Sequence, residues 1–297
     1  MTATRIRVAF ASLGVSLVVL AIKYAAYAAS GSDALLSDAI ETILNVIAAA
    51  GTLWAVSVAA LPADENHPYG HGKAEYLSAV IEGVLVVLTA IGILFIAIYD
   101  WWHPVPVYAP FRGIALNALG GLVNLIWARV LIGVGKRQSS QALQAAGDHV
   151  QSDVWATVAL VFGVSLIPLL GWNWLDSVLS GLVALNVLRT GFSMMRRSLS
   201  GLMDEAPAPE CMDEVRSVIS SSAGGALEAH DLRIRRVGAL FFVEFHLVVP
   251  SEMSVHDAHE ICDNVESAIR KVLGRASIHI HVEPADKAKH SGALVLS

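Results

Sequence analysis

The chain has 297 residues, of which 55% are hydrophobic and only 15% charged, with a net charge of −6 and a mean hydropathy of +0.59. Soluble domains carry nearer a quarter charged residues, so much of this sequence belongs in lipid rather than water. The acidic balance and the lack of a basic tract exclude nucleic acid as a partner.

The apolar run 8–29 is too long for the core of a signal peptide and ends without a cleavage site, so it reads as a retained first span. Its one cation, Lys23, can snorkel to an interface or pair inside a bundle. Further apolar segments follow at 35–61, 77–99, 114–134, 148–170 and 175–195, each near or above the roughly 20 residues that cross a bilayer as a helix. The last is the least clean, since Asp176 and Arg189 bracket a short apolar core. Arg5, Arg7, Lys73, Lys136, Arg137, Arg196 and Arg197 fall on one side of these six spans. The opposite loops hold Arg112 as their basic residue and Trp101, Trp102, Trp172 and Trp174 as an aromatic belt. The positive-inside rule therefore places both termini in the cytoplasm, and an even number of spans agrees.

Past Leu202 the period changes from that of lipid-buried helices to that of a soluble domain. The pattern predicts a helix over 210–221, strands over 230–237 and 239–249, a helix over 254–273 and a strand over 276–282. Val243, Phe245 and Leu247 alternate with Glu244 and His246, while Ile278, Ile280 and Val282 alternate with His279 and His281. The order α-β-β-α-β fits a small antiparallel sheet backed by helices on one face. Cys211 and Cys262 both lie in this part, make no zinc-finger spacing and suit a reducing cytosolic face. Residues 1–202 thus read as a membrane domain, 203–285 as a cytoplasmic domain and 286–297, with Lys287, Lys289 and His290, as a disordered tail.

Within the spans, Glu41 and Asn45 on the second and His149 and Asp153 on the fifth are each four residues apart, so each pair shares one helix face. Ionisable groups at membrane depth are costly and mark a substrate or ion pathway. Two carboxylates, an amide oxygen and an imidazole make a four-ligand shell suited to a borderline divalent metal. Glu82 and Arg129 lack such partner spacing and read as bundle salt bridges or cavity lining.

Several segments then resemble the cation diffusion facilitator family. The loop Asp64-Glu65-Asn66-His67-Pro68-Tyr69-Gly70-His71-Gly72-Lys73-Ala74-Glu75 is similar to the family's loop between spans two and three. Leu36-Ser37-Asp38-Ala39-Ile40-Glu41, His149-Val150-Gln151-Ser152-Asp153-Val154, His230-Asp231-Leu232-Arg233 and His279-Ile280-His281-Val282-Glu283-Pro284 follow in family order. The resemblance covers roughly residues 8–284. It implies a six-span transporter with a ferredoxin-like cytoplasmic domain, usually a homodimer, that exchanges a divalent metal for protons. It places the transport site on Glu41, Asn45, His149 and Asp153, where Glu and Asn depart from the family's commoner second-span ligands. Asn45 offers a carbonyl oxygen but no charge, which loosens zinc selectivity toward manganese or iron; Asp38, one turn before Glu41, is a possible accessory. The resemblance further implies a loop metal site at Asp64, His67 and His71, and a cytoplasmic one at His230, His246, His259, His281 and Glu283. It implies an interlock of the dimer through Lys73 and Asp204.

The functional expectation is proton-coupled efflux of a divalent cation from a bacterial inner membrane, zinc first, with manganese, iron or cobalt as alternatives. The metal is substrate and regulator, and no permanently bound cofactor is expected. A membrane-anchored metal sensor, or a non-transporting subunit of a transporter, is the competing reading. No Walker sequence supports ATP-driven transport, and without HExxH an intramembrane metalloenzyme lacks its general base.

Overall fold

The structure, a computed structural model, describes residues 2–30, 33–103, 111–170, 174–289 and 294–296. Trp172 and His290 fall outside them, as do the side chains of Glu41, Asp176 and Trp174. The chain divides into two compact units, Met1–Leu202 and Met203–Ser297.

The first unit is built from α1 (Thr2–Ser30), α2 (Asp33–Ala59), α3 (Ala74–Trp102), α4 (Phe111–Gln138), α5 (Gln141–Leu170) and α6 (Trp174–Leu202). In lipid every backbone polar group needs an internal partner, which long helices supply by themselves. By length and composition Ala3–Ala29, Asp38–Ala59, Ala74–Trp102 and Phe111–Gln138 suffice to cross a membrane. Phe95, Trp102, Phe162 and Phe192 lie on the outside, while Ser12, Ser16, Asn45, Thr52, Glu82, Asn124 and His149 are buried. Apolar side chains outward and polar ones inward is the arrangement a bilayer imposes.

Close packing fixes the helix partners: α3 packs chiefly on α6, α4 on α5, and α1 on α2 and α4. The α3–α6 seam runs through glycines. A β-carbon added at Gly83 would lie 2.6 Å from Met195 Cγ, and one at Gly191 would lie 2.8 Å from Val87 Cγ2. Small residues of this kind let membrane helices approach closely. At the end where α2 stops and α3 and α5 begin, Glu75 accepts from Arg5 Nη1 at 3.0 Å and from the Ser140 hydroxyl. Ser140 also caps α5 by accepting from the Leu143 amide.

The second unit holds α7 (Pro209–Ser222), β1 (Glu228–Val237), β2 (Leu240–Val249), α8 (Val255–Leu273), β3 (Ala276–Pro284) and β4 (Leu294–Val295). The sheet order is β3-β2-β1-β4. The β1–β2 hairpin turns at Gly238, whose φ of 60° suits a two-residue turn. Val215, Ile219, Ile261, Val265 and Ile269 from the helices meet Val243, Phe245, Leu247 and Ile278 on one sheet face to form the core. Each such side chain contributes about 1.5–3 kcal/mol. Ser254 caps α8 by accepting from the Asp257 amide at 3.1 Å.

Two details differ from the sequence reading. The sheet is mixed rather than antiparallel: β3 runs parallel to β2, because α8 carries the chain back to the starting end as a βαβ crossover. The tail expected to be disordered supplies β4, antiparallel to β1, and buries Leu296 in the core.

Candidate metal centres

The first centre lies between α2 and α5. Helical spacing sets Asn45 and Thr52 on one face of α2 and His149 and Asp153 on one face of α5. Asn45 Nδ2 donates to Asp153 Oδ2 at 2.6 Å, which leaves Asn45 Oδ1 buried without a hydrogen-bond partner among the described residues. His149 is buried and lines a small cavity together with Asn45, Ser12, Ser16, Ala48, Ala49, Glu82, Ala146 and Val150. Glu41 stands one helical turn before Asn45 in α2. Asp38, the possible accessory, is committed to Lys23, whose Nζ is 2.9 Å from its Oδ1 and whose side chain is buried. Of the two roles open to Lys23, pairing inside the bundle is the one adopted. Glu82 lines the cavity and accepts from the Thr52 hydroxyl, whereas Arg129 is exposed and reaches Gln151.

The second centre is the loop after α2. The Gly70 backbone, at φ of 80°, bends the chain so that its amide donates to the His67 carbonyl. Asp64, His67 and His71 come together with their ligand atoms within 4.8 Å of one another. His71 Nδ1 donates to the Pro62 carbonyl at 3.1 Å, so its Nε2 presents a lone pair to Asp64 Oδ2, 3.4 Å away. Two acceptors held face to face leave a place for a cation. The His67 amide bonded to Asp64 holds that carboxyl below the usual carboxylate range, which keeps the oxygens ionised.

The third centre lies on the sheet face opposite the helices. Strand register pairs His230 with His246 and His246 with His281, and successive ring centroids are 5.1 and 4.9 Å apart. Glu283, two residues beyond His281, shares that face. Its oxygens lie 3.0 Å from His246 Nδ1 and 3.3 Å from His230 Nε2. His230, His246 and Glu283 thus converge within 4.8 Å, and His281 flanks them from an exposed position. His259 does not join: it is exposed on α8, which covers the other sheet face, and lies 3.9 Å from Asp263. Sequence reasoning missed Glu228. Buried beside His230, it accepts from that ring's Nδ1 at 3.0 Å and from the Lys289 amide at 2.9 Å. Such a carboxylate fixes the tautomer so that Nε2 faces a metal. The signal was available, because Glu228 and His230 are two apart in a strand.

Lys73 Nζ donates to the Leu202 carbonyl at 3.2 Å, and Asp204 accepts from Arg235 Nη1 at 2.9 Å.

Residues 9–203 match the cation efflux transmembrane domain and residues 207–285 the cation efflux protein cytoplasmic domain. An uncharacterised transporter of Synechocystis is 37% identical over 278 residues, covering 94% of this chain and 90% of that protein. The cation-efflux pump FieF of Escherichia coli is 28% identical over 286 residues, covering 96% and 95%. The Zn form of CzrB is 40% identical, with a TM-score of 0.28, covering 29% of this chain and 99% of that one. The chain is therefore a membrane transporter rather than an enzyme, and it belongs to the cation efflux family, the cation diffusion facilitators.

Proposed function

We propose that this cation efflux protein exports a divalent metal ion, zinc first, from the cytoplasm in exchange for protons, by alternating access across a bacterial inner membrane. The observation that carries the reading is the Asn45–Asp153 hydrogen bond beside buried His149 in the interior of the helix bundle. Metal binding requires a neutral imidazole and ionised carboxylates. Loading the site therefore releases protons, and protonation from the far side expels the ion. Six spans with both termini cytoplasmic would place the loop cluster of Asp64, His67 and His71 at the cytosolic mouth. The unit 203–285, with its histidine row, serves as the cytoplasmic regulatory and dimerisation domain. Lys73 and Asp204 interlock the homodimer in this reading: reversing either charge lowers the dimer fraction, and reversing both restores it in size-exclusion chromatography.

Flux into liposomes with an imposed pH gradient tests the proposal. Zinc, manganese, iron(II), cobalt and cadmium are compared in the parent, Asp153→Ala and Asn45→Asp. The expected result is metal flux against proton counterflow in the parent, none in Asp153→Ala and a sharper zinc preference in Asn45→Asp. Normal flux through Asp153→Ala refutes the site. No flux in the parent beside metal binding by its cytoplasmic domain favours a sensor.

A further inference from the structure

Glu82 lies in the interior of α3 with a relative exposure of 2%. One carboxylate oxygen accepts from Thr52; the other, Oε2, has no hydrogen-bond partner among the described residues, and no cationic side chain there pairs with it. A lone carboxylate in an apolar bundle costs several kcal/mol of lost hydration, roughly, unless something answers it. Glu82 shares its cavity with a second orphan oxygen, Asn45 Oδ1, with buried His149 and with Ser12 and Ser16 from α1. The cavity measures about 10 Å³, room for roughly one water-sized particle. Its remaining wall is Ala48, Ala49, Ala146 and Val150.

The position has a direction. Thr52 follows Asn45 by seven residues on the same face of α2, about 10 Å along the axis. That displacement leads toward the loop of Asp64, His67 and His71. Ala146, which precedes His149, lines the same cavity, and the Glu75–Ser140 bond places the start of α5 at that loop end. Glu82 thus stands on the loop side of the transport site.

We infer that Glu82 is a ligand of the transported cation, forming an oxygen-lined loading station between the α2–α3 loop and the Asn45–His149–Asp153 site. Its donors are a carboxylate, an amide oxygen and hydroxyls beside the His149 imidazole, a predominantly hard set that accepts small first-row divalent ions with little discrimination. It returns to the pathway the negative charge that Asn45 does not provide. The inference rests on the export reading above.

The test uses the full chain in liposomes. Initial rates are measured against zinc and manganese concentration for the parent, Glu82→Gln, Glu82→Asp and Asp153→Ala. Glutamine keeps the volume and still accepts from Thr52, and Glu82→Asp covers the case in which Glu82→Gln does not assemble. Glu82→Gln is expected to raise KM for both metals at least tenfold, with Glu82→Asp between it and the parent. A KM within twofold of the parent for either variant, while Asp153→Ala is inactive, overturns the loading station and leaves export standing. Equilibrium binding of zinc to detergent-solubilised protein that carries His67→Ala and His230→Ala reads the same station without transport. There Glu82→Gln is expected to weaken binding at least tenfold even if the parent proves inactive in flux. Unchanged binding overturns the inference, whereas no flux in the parent overturns the export reading and normal flux through Asp153→Ala overturns the Asn45–His149–Asp153 site.

Discussion

Glu228→Ala isolates the contribution of a residue that would not itself touch a metal. The carboxylate is buried and holds His230 Nδ1 at 3.0 Å and the Lys289 amide at 2.9 Å. Its loss frees the imidazole to rotate and to exchange tautomers, so part of the binding energy goes into fixing the ring. Partners of this kind change metal affinity by about 10- to 100-fold, or about 1.4–2.7 kcal/mol. Two donors also lose their acceptor, at a folding cost of about 1–3 kcal/mol each where they stay buried. Glu228→Gln keeps an acceptor without the charge and should weaken binding less than tenfold. The assay is zinc competition against a chromophoric chelator on residues 203–297, a unit with its own core, with thermal melting run on the metal-free forms. Zinc affinity of Glu228→Ala within twofold of the parent would refute the reasoning, whatever the melting temperature did.

Lys23→Met should lower the stability of the bundle by about 3–5 kcal/mol, because it strands Asp38 as an unpaired charge at membrane depth. Adding Asp38→Asn should recover most of the loss, as read by thermal denaturation in detergent. The Lys289 ammonium bonded to Asp231 holds that carboxyl below its ordinary range. Since the folded value is depressed, the stabilisation is present above the unfolded value near 4 and fades as pH falls through the folded one. Protection of the Leu294 and Val295 amides, taken relative to the intrinsic exchange rate at each pH, should therefore fall on acidification below about pH 4, and Lys289→Ala should remove that dependence.

The helices were legible because lipid demands uninterrupted apolar length, and the two i, i+4 pairs were legible because helical spacing alone puts positions 41 and 45 on one face of α2 and His149 with Asp153 on one face of α5. That Asn45 would donate to Asp153 was not, since it depends on the packing of α2 on α5. Strand alternation gave the histidine-bearing face, whereas the direction of β3 depends on a crossover that alternation does not encode. β4 is two residues long, too short for any period to register. His259 was grouped with the sheet histidines by resemblance. The helical period of Ala258, Ile261, Cys262, Val265 and Ile269 toward the core already turned it outward. Glu82 was read as a bundle salt bridge or as cavity lining; it lines the cavity, and Thr52, the one partner it finds among the described residues, lies thirty residues away and on another helix.

Between α3 and α6 the pegs and sockets run both ways: Met195 sits over Gly83, and Val87 over Gly191. Two reciprocal keys four residues apart fix the pair in height and in azimuth, as a shaft is fixed by its splines. Packed interfaces of this sort hold discrete positions rather than a continuum of them. Glu82 is the residue before Gly83, so its carboxylate rides on the keyed stretch of α3 and shifts when that stretch shifts. A methyl group placed in either socket would detune that carboxylate without ever touching it.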